Sequence, residues 1–190
     1  MTLKEFFNAI SPLKEGTWKV IEPLFHRATL AKHQHFVKEN DIARKIAFLE
    51  SGIVRSYFTN QEGQEYNKQF FVAPSSIGGY SSLLTGKPNL IPQQALSDCV
   101  IWAADYRSIT DHYDRFPDLE RLSRKVAEYY FLEKEKKELE IVLLDAIERY
   151  RIFQKEFPGV EQQIPQYHIA SYLGITPVQL SRIRRQLAKK

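Results

Sequence analysis

Apolar and polar positions change their rhythm four times along this chain. Residues 1–23 predict helix, with Phe6, Phe7, Ile10 and Leu13 apolar around the interruptions at Pro12 and Gly16. From about residue 24 to 104 the pattern becomes short strands separated by turns. Segments 46–50, 53–59 and 66–72 are rich in β-branched and aromatic residues, and Ser51-Gly52 and the run from Asn60 to Gly63 sit between them as hairpin punctuation. Segments 93–96 and 99–103 predict a further strand pair turning at Ser97-Asp98. Between Pro117 and Pro158 there is neither Pro nor Gly, which predicts one long helix over 118–144. Leu119, Leu122, Val126 and Tyr129 or Tyr130 form its i, i+3, i+4 apolar stripe, the expected seam of a dimer. The charged run 133–138 places that seam before it. A second helix near 145–157 carries Ile147, Tyr150 and Phe153.

The last regime, residues 162–190, reads as two short helices joined by a glycine turn. Pro165 opens the first, whose inner side is Ile169, Ala170 and Leu173; Ala170 is small where crossing helices approach closely. Gly174 supplies the left-handed turn conformation. Thr176 is an expected N-cap with Pro177 at the first helical position, where its missing N–H costs nothing. Leu180, Ile183 and Leu187 face inward at spacings of three and seven. Val178, Ser181, Arg182 and Arg185 then lie on the opposite face, polar and cationic as a reader of the DNA major groove requires. Arg can grip guanine through two hydrogen bonds, and Ser and Gln can donate to bases or phosphates. Thr176, Val178, Gln179, Ser181, Arg182, Arg185 and Lys189 are the expected DNA contacts, with the backbone N–H groups available from Thr176 to Val178, Pro177 having none, toward phosphate.

Charge sorts the chain the same way. Segment 162–190 holds no Asp or Glu and five cations, leaving the rest with 22 cations against 23 acids. The sequence pI of about 9.0 therefore comes from one end. An apolar content of 43% supports a packed core in 190 residues. The N-terminus lacks a signal-peptide pattern, and the apolar run 99–104 is too short to span a bilayer, so a cytoplasmic protein without a membrane partner is expected. Cys99 alone can form no internal disulfide and no structural zinc site.

Other constellations carry no chemistry. Segment 79–87 has the wrong spacing for a phosphate loop, and Pro88 stands where Ser or Thr is needed. His33 and His35 would alternate on one strand face but lack a third ligand; His26, His112 and His168 are isolated in sequence. Neither a nucleophile elbow nor a helical metal-binding His pair is present. No catalytic residue, metal or cofactor is expected. A sensor or scaffold whose C-terminal helices bind another protein is the alternative, and the acid-free terminal segment argues against it.

The order of β domain, long helix and helix-turn-helix resembles the cyclic-AMP receptor protein (CRP/FNR) family of bacterial transcription regulators. The residues carrying the resemblance are Gly52, Glu62-Gly63, Ile77-Gly78, Gly86, the run Ile169 to Thr176 and Leu180-Ser-Arg-Ile183. The resemblance implies an α+β fold: an N-terminal double-stranded β-roll over 1–117, a dimerising helix over 118–144 and a helix-turn-helix domain over 145–190. It implies double-stranded DNA, a second copy of the chain and RNA polymerase as partners, with no effector identified. Cyclic-nucleotide binders in the family carry Gly-Glu-Leu and, later, Arg-Ser or Arg-Thr. Here Gly78 is followed by Gly79 and Tyr80, and Asn89-Leu90 replaces the later pair. The effector pocket is thus degenerate: without the carboxylate for the ribose and the cation for the phosphate, cyclic nucleotides are not expected to bind.

Overall fold

The computed structural model describes residues 1–188, so Lys189 lies outside the described residues. The chain forms two compact units. One comprises Met1–Ser56 and Phe70–Phe131, the other Tyr57–Gln69 and Leu132–Lys190.

In the first unit two helices, α1 (Leu3–Ile10) and α2 (Glu15–Ile21), precede the strands. Thr2 and Glu5 close a reciprocal capping box that starts α1. The strands are β1 (His26–Leu30), β2 (His35–Val37), β3 (Lys45–Ser51), β4 (Ile53–Thr59), β5 (Glu65–Val72), β6 (Ser75–Gly78), β7 (Gln93–Ala95) and β8 (Cys99–Asp105), with α3 (Tyr80–Thr85) before β7 and α4 (Tyr106–Thr110) after β8. They form two four-stranded sheets, β1-β8-β3-β6 and β2-β7-β4-β5. Alternation along β3 explains why the first sheet is covered on both faces. Ala47 and Leu49 join Leu30, Val54, Ile77, Ala95 and Ile101 in one core, while Phe48 between them joins Trp18, Ile21, Phe25 and Leu119 in a second.

The sheet assignment corrects two expected turns. Ser51-Gly52 does not close a hairpin, because β3 and β4 belong to different sheets; β7 and β8 are likewise split, so Ser97-Asp98 joins no strand pair. Both are corners where the chain changes sheet. They pack on each other: the Ile53 N–H donates to Ser97 Oγ at 3.0 Å, and Leu96 N–H to the Ile53 carbonyl at 2.8 Å. Gly52 sits at φ +99, and a Cβ there would meet Cys99 Sγ at 2.5 Å and the Asp98 carbonyl at 2.7 Å. Pairing with a distant strand outweighed the local turn signal. His33 and His35 also fail to share a strand face, since His33 lies in the turn before β2 with φ +72.

The long helix, α5, spans Pro117–Leu143. Its stripe is not the free seam expected. Leu119 and Leu122 are buried inside the first unit, Leu119 against the N-terminal helices. Val126 is half-buried, and Tyr130 packs on Phe71 with its hydroxyl donating to the Ser76 carbonyl at 2.8 Å. Only Tyr129 of that set is exposed. A helix stripe records that a face is apolar, not which surface covers it. On either side of the charged run the helix exposes Leu132, Leu139 and Leu143, at 59%, 54% and 70%.

Candidate nucleic-acid interface

The second unit contains α6 (Ala146–Glu156), α7 (Gln166–Tyr172) and α8 (Pro177–Leu187) together with the 132–143 part of α5. Asp145 and Glu148 form the capping box of α6, whose inner side presents Tyr150 and Phe153, both almost fully buried. Phe153 lies 5.9 Å from the ring of Tyr172. Ile169, Ala170 and Leu173 from α7 and Leu180 from α8 are at 0 or 1% exposure, so the apolar side read from the sequence is the core of this unit. Leu187 is only half-buried. Between the helices Gly174 takes φ +68, and the Ile175 N–H donates to the Ala170 carbonyl at 3.0 Å, closing the α7 end.

Polar contacts hold this core to its neighbours. The Lys137 ammonium lies 3.7 Å over the Tyr172 ring and 3.5 Å from Glu140. Burial pulls the Lys137 pKa down against the opposing pull of Glu140. Arg149 caps the α5 end through the Leu144 carbonyl at 2.5 Å and the α7 end through the Leu173 carbonyl at 3.1 Å. Tyr150 donates to Glu161 at 2.9 Å; burial and that carboxylate push its pKa up to about 12. Lys136 pairs with Glu156, and Arg184 stands 3.8 Å from Glu161.

The tip of the β4–β5 hairpin belongs to this unit, a placement unmarked in the sequence. Asn67 Nδ2 reaches the His168 carbonyl at 2.9 Å and His168 Nδ1 at 3.2 Å. Ser171 Oγ accepts from the Asn67 N–H at 2.9 Å and donates to the Glu65 carbonyl at 3.0 Å. His168 is therefore a partnered core residue, separated by about a hundred positions from the asparagine that satisfies it.

What remains outward on α8 is a polar, cationic face. Thr176, Val178, Gln179, Ser181, Arg182 and Arg185 are all exposed, Val178 at 61%. Thr176 and Gln179 cap each other: Gln179 Oε1 accepts from the Thr176 N–H at 2.8 Å and from its hydroxyl at 3.1 Å, and Thr176 Oγ1 accepts from the Gln179 N–H at 3.2 Å. The amide oxygen of Gln179 is therefore engaged within the protein. Tyr167, not singled out from the sequence, is 54% exposed on the first turn of α7; an aromatic at a position outside the apolar spacing was the available signal.

The second candidate site, in the first unit, surrounds the end of β6. Gly78 accepts from Gln93 Nε2 at 3.0 Å. Gly79 and Asn89 lie together: a Cβ on Gly79 would meet Asn89 Oδ1 at 3.0 Å and Ala43 Cβ at 3.1 Å. Asn89 is buried, donates from Nδ2 to the Lys38 carbonyl at 3.0 Å, and exchanges backbone bonds with Asp41 and Asn40 at 2.8 Å. Tyr80 and Leu90 point outward, Leu90 at 70% exposure. At the two positions that the sequence resemblance aligns with the ribose and phosphate partners, this chain has a glycine whose Cβ would crowd Asn89 and Ala43, and an amide already bonded to backbone.

Among the described residues there is no cluster of metal-ligating side chains and no helix long and apolar enough to cross a membrane. Residues 27–115 match the family model of the cyclic nucleotide-binding domain. No curated protein matches the sequence. Solved structures do. FixK2 from Bradyrhizobium japonicum is similar with a TM-score of 0.75 at 19% identity, covering 87% of this chain and 85% of its own. CLP from Xanthomonas campestris, a c-di-GMP-responsive global regulator, gives 0.73 at 14% identity over 93% of this chain and 92% of its own. CooA from Carboxydothermus hydrogenoformans, in a mutant form, gives 0.70 at 20% identity over 100% and 85%. A cyclic nucleotide-binding-type β-roll, a long helix and a helix-turn-helix in this order give the chain the fold of the CRP/FNR family of transcription regulators.

Proposed function

We propose that this protein is a homodimeric, sequence-specific DNA-binding regulator of transcription that works without cyclic AMP. The observation carrying the proposal is the outward face of α8, where Ser181, Arg182 and Arg185 stand exposed over the buried Leu180 and Ile183. Two such helices enter successive major grooves about 34 Å apart on a near-palindromic site. Arg182 reads guanine, Ser181 and Arg185 add base and phosphate contacts, and Lys189 contacts phosphate. Gln179 contributes through its amide nitrogen alone, since its oxygen serves the cap. Tyr167 joins the phosphate contacts from α7. The copies pair along the exposed Leu132, Leu139 and Leu143, which repeat at seven and four positions. Bound to its site, the dimer acts on transcription through RNA polymerase.

The test is selection from random duplexes with purified protein, followed by a salt titration on the enriched sequence. Enrichment of a near-palindrome with affinity falling steeply with salt is expected. Arg182→Ala loses about 1–3 kcal/mol on that sequence, while Lys189→Ala weakens all sequences about equally. Absence of salt-dependent affinity for any duplex overturns the proposal.

A further inference from the structure

Val178 is an anomaly on α8. It is the second residue of the helix, 61% exposed, on the face that also presents Ser181, Arg182 and Arg185. Nothing in a first helical turn calls for an exposed β-branched residue: such side chains are poorer helix formers than straight-chain ones, and the positive end of the helix favours acids. The neighbouring groups narrow what it can touch. Thr176 and Gln179 are bound to each other, with Gln179 Oε1 accepting at 2.8 and 3.1 Å, so Gln179 lacks the free oxygen needed to grip adenine through both edge atoms. The leading turn of α8 therefore offers a groove the apolar surface of Pro177 and Val178 and no free paired donor and acceptor.

Resting on the DNA-binding reading above, we infer that Val178 is a specificity-determining residue that packs against the 5-methyl group of a thymine. Each feature that bases present in the major groove is a hydrogen-bond donor or acceptor, except that methyl group. N-terminal residues of a recognition helix approach base edges, which brings position 178 to the groove floor. Val178 and Arg182 are four residues apart, one turn, so they share a face about 6 Å apart along the helix. The thymine consequently lies within about two base pairs of the guanine read by Arg182.

The test uses the full-length wild type on the duplex recovered by selection, with each thymine replaced in turn by deoxyuridine, which lacks only the methyl group. One position per half-site should lose about fourfold in affinity, the value of one buried methyl-sized group. Val178→Ala, at an exposed position and checked for folding by circular dichroism, removes the contact in both half-sites, so it should lose about the square of that, roughly sixteenfold, and show no further response to deoxyuridine at that position. The inference is overturned if no thymine replacement weakens wild-type binding, or if Val178→Ala keeps the full deoxyuridine effect. Both outcomes leave DNA binding intact. A selection that enriches nothing overturns both readings, and is distinguished by the absence of any salt-dependent complex.

Discussion

Asp118 shows how one carboxylate can organise a first turn. At the start of α5 it accepts from the Lys14 N–H at 2.8 Å and from the Thr17 hydroxyl at 2.8 and 2.9 Å. Burial works to raise its pKa, but those hydrogen bonds outweigh it and hold the carboxyl below the ordinary aspartate range. A depressed folded pKa means stabilisation that is complete above about pH 4 and is lost as pH falls through the folded value. Asp118→Asn should therefore cost about 1–3 kcal/mol in urea unfolding at pH 7, and the gap to wild type should shrink as pH drops from 5 to 3. A gap that persists unchanged at pH 3 contradicts this account. Gly52 is the backbone counterpart. Its left-handed φ and the Asp98 carbonyl 2.7 Å from a would-be Cβ leave no room for alanine. Gly52→Ala should lose at least about 1–3 kcal/mol, read from the same unfolding experiment. The glycine is visible in the sequence, but its reason, the packing of one sheet corner on another, is not.

Among elements, α5 separates what periodicity reveals from what it hides. Its length was legible, because a run without Pro or Gly leaves a helix uninterrupted. The partner of each apolar position was not. Leu122→Glu would put an uncompensated charge at a site 3% exposed, so it should unfold the first unit rather than yield a folded monomer. Leu132, Leu139 and Leu143 are open, and replacing all three with Glu should preserve the circular dichroism spectrum while light scattering reports a monomer. Since a dimer doubles the phosphate contacts, the triple variant should also lose most DNA affinity. A folded triple variant that remains dimeric would move the seam elsewhere. The helix-turn-helix was more legible, because its glycine, cap and apolar spacing lie within twenty consecutive residues and act locally.

For the molecule as a whole, the expected outcome with cyclic AMP or cyclic GMP is a flat calorimetric titration at micromolar nucleotide. Asn89 is neutral and held by backbone and Gly79 offers no carboxylate, so on the alignment read from the sequence neither ribose nor phosphate finds its customary partner. Micromolar binding of either nucleotide would overturn the pocket assignment. The fold class, the long helix and the helix-turn-helix were determined by the sequence itself. Each depends on residues close together in the chain, where steric and hydrogen-bonding preferences act without help from elsewhere. The tertiary structure decided the rest: which sheet each strand joins, that Leu119 and Leu122 are core, and that Asn67 is the partner of His168. Those outcomes depend on groups up to a hundred residues apart, and local pattern records only that a surface must be covered, not by what.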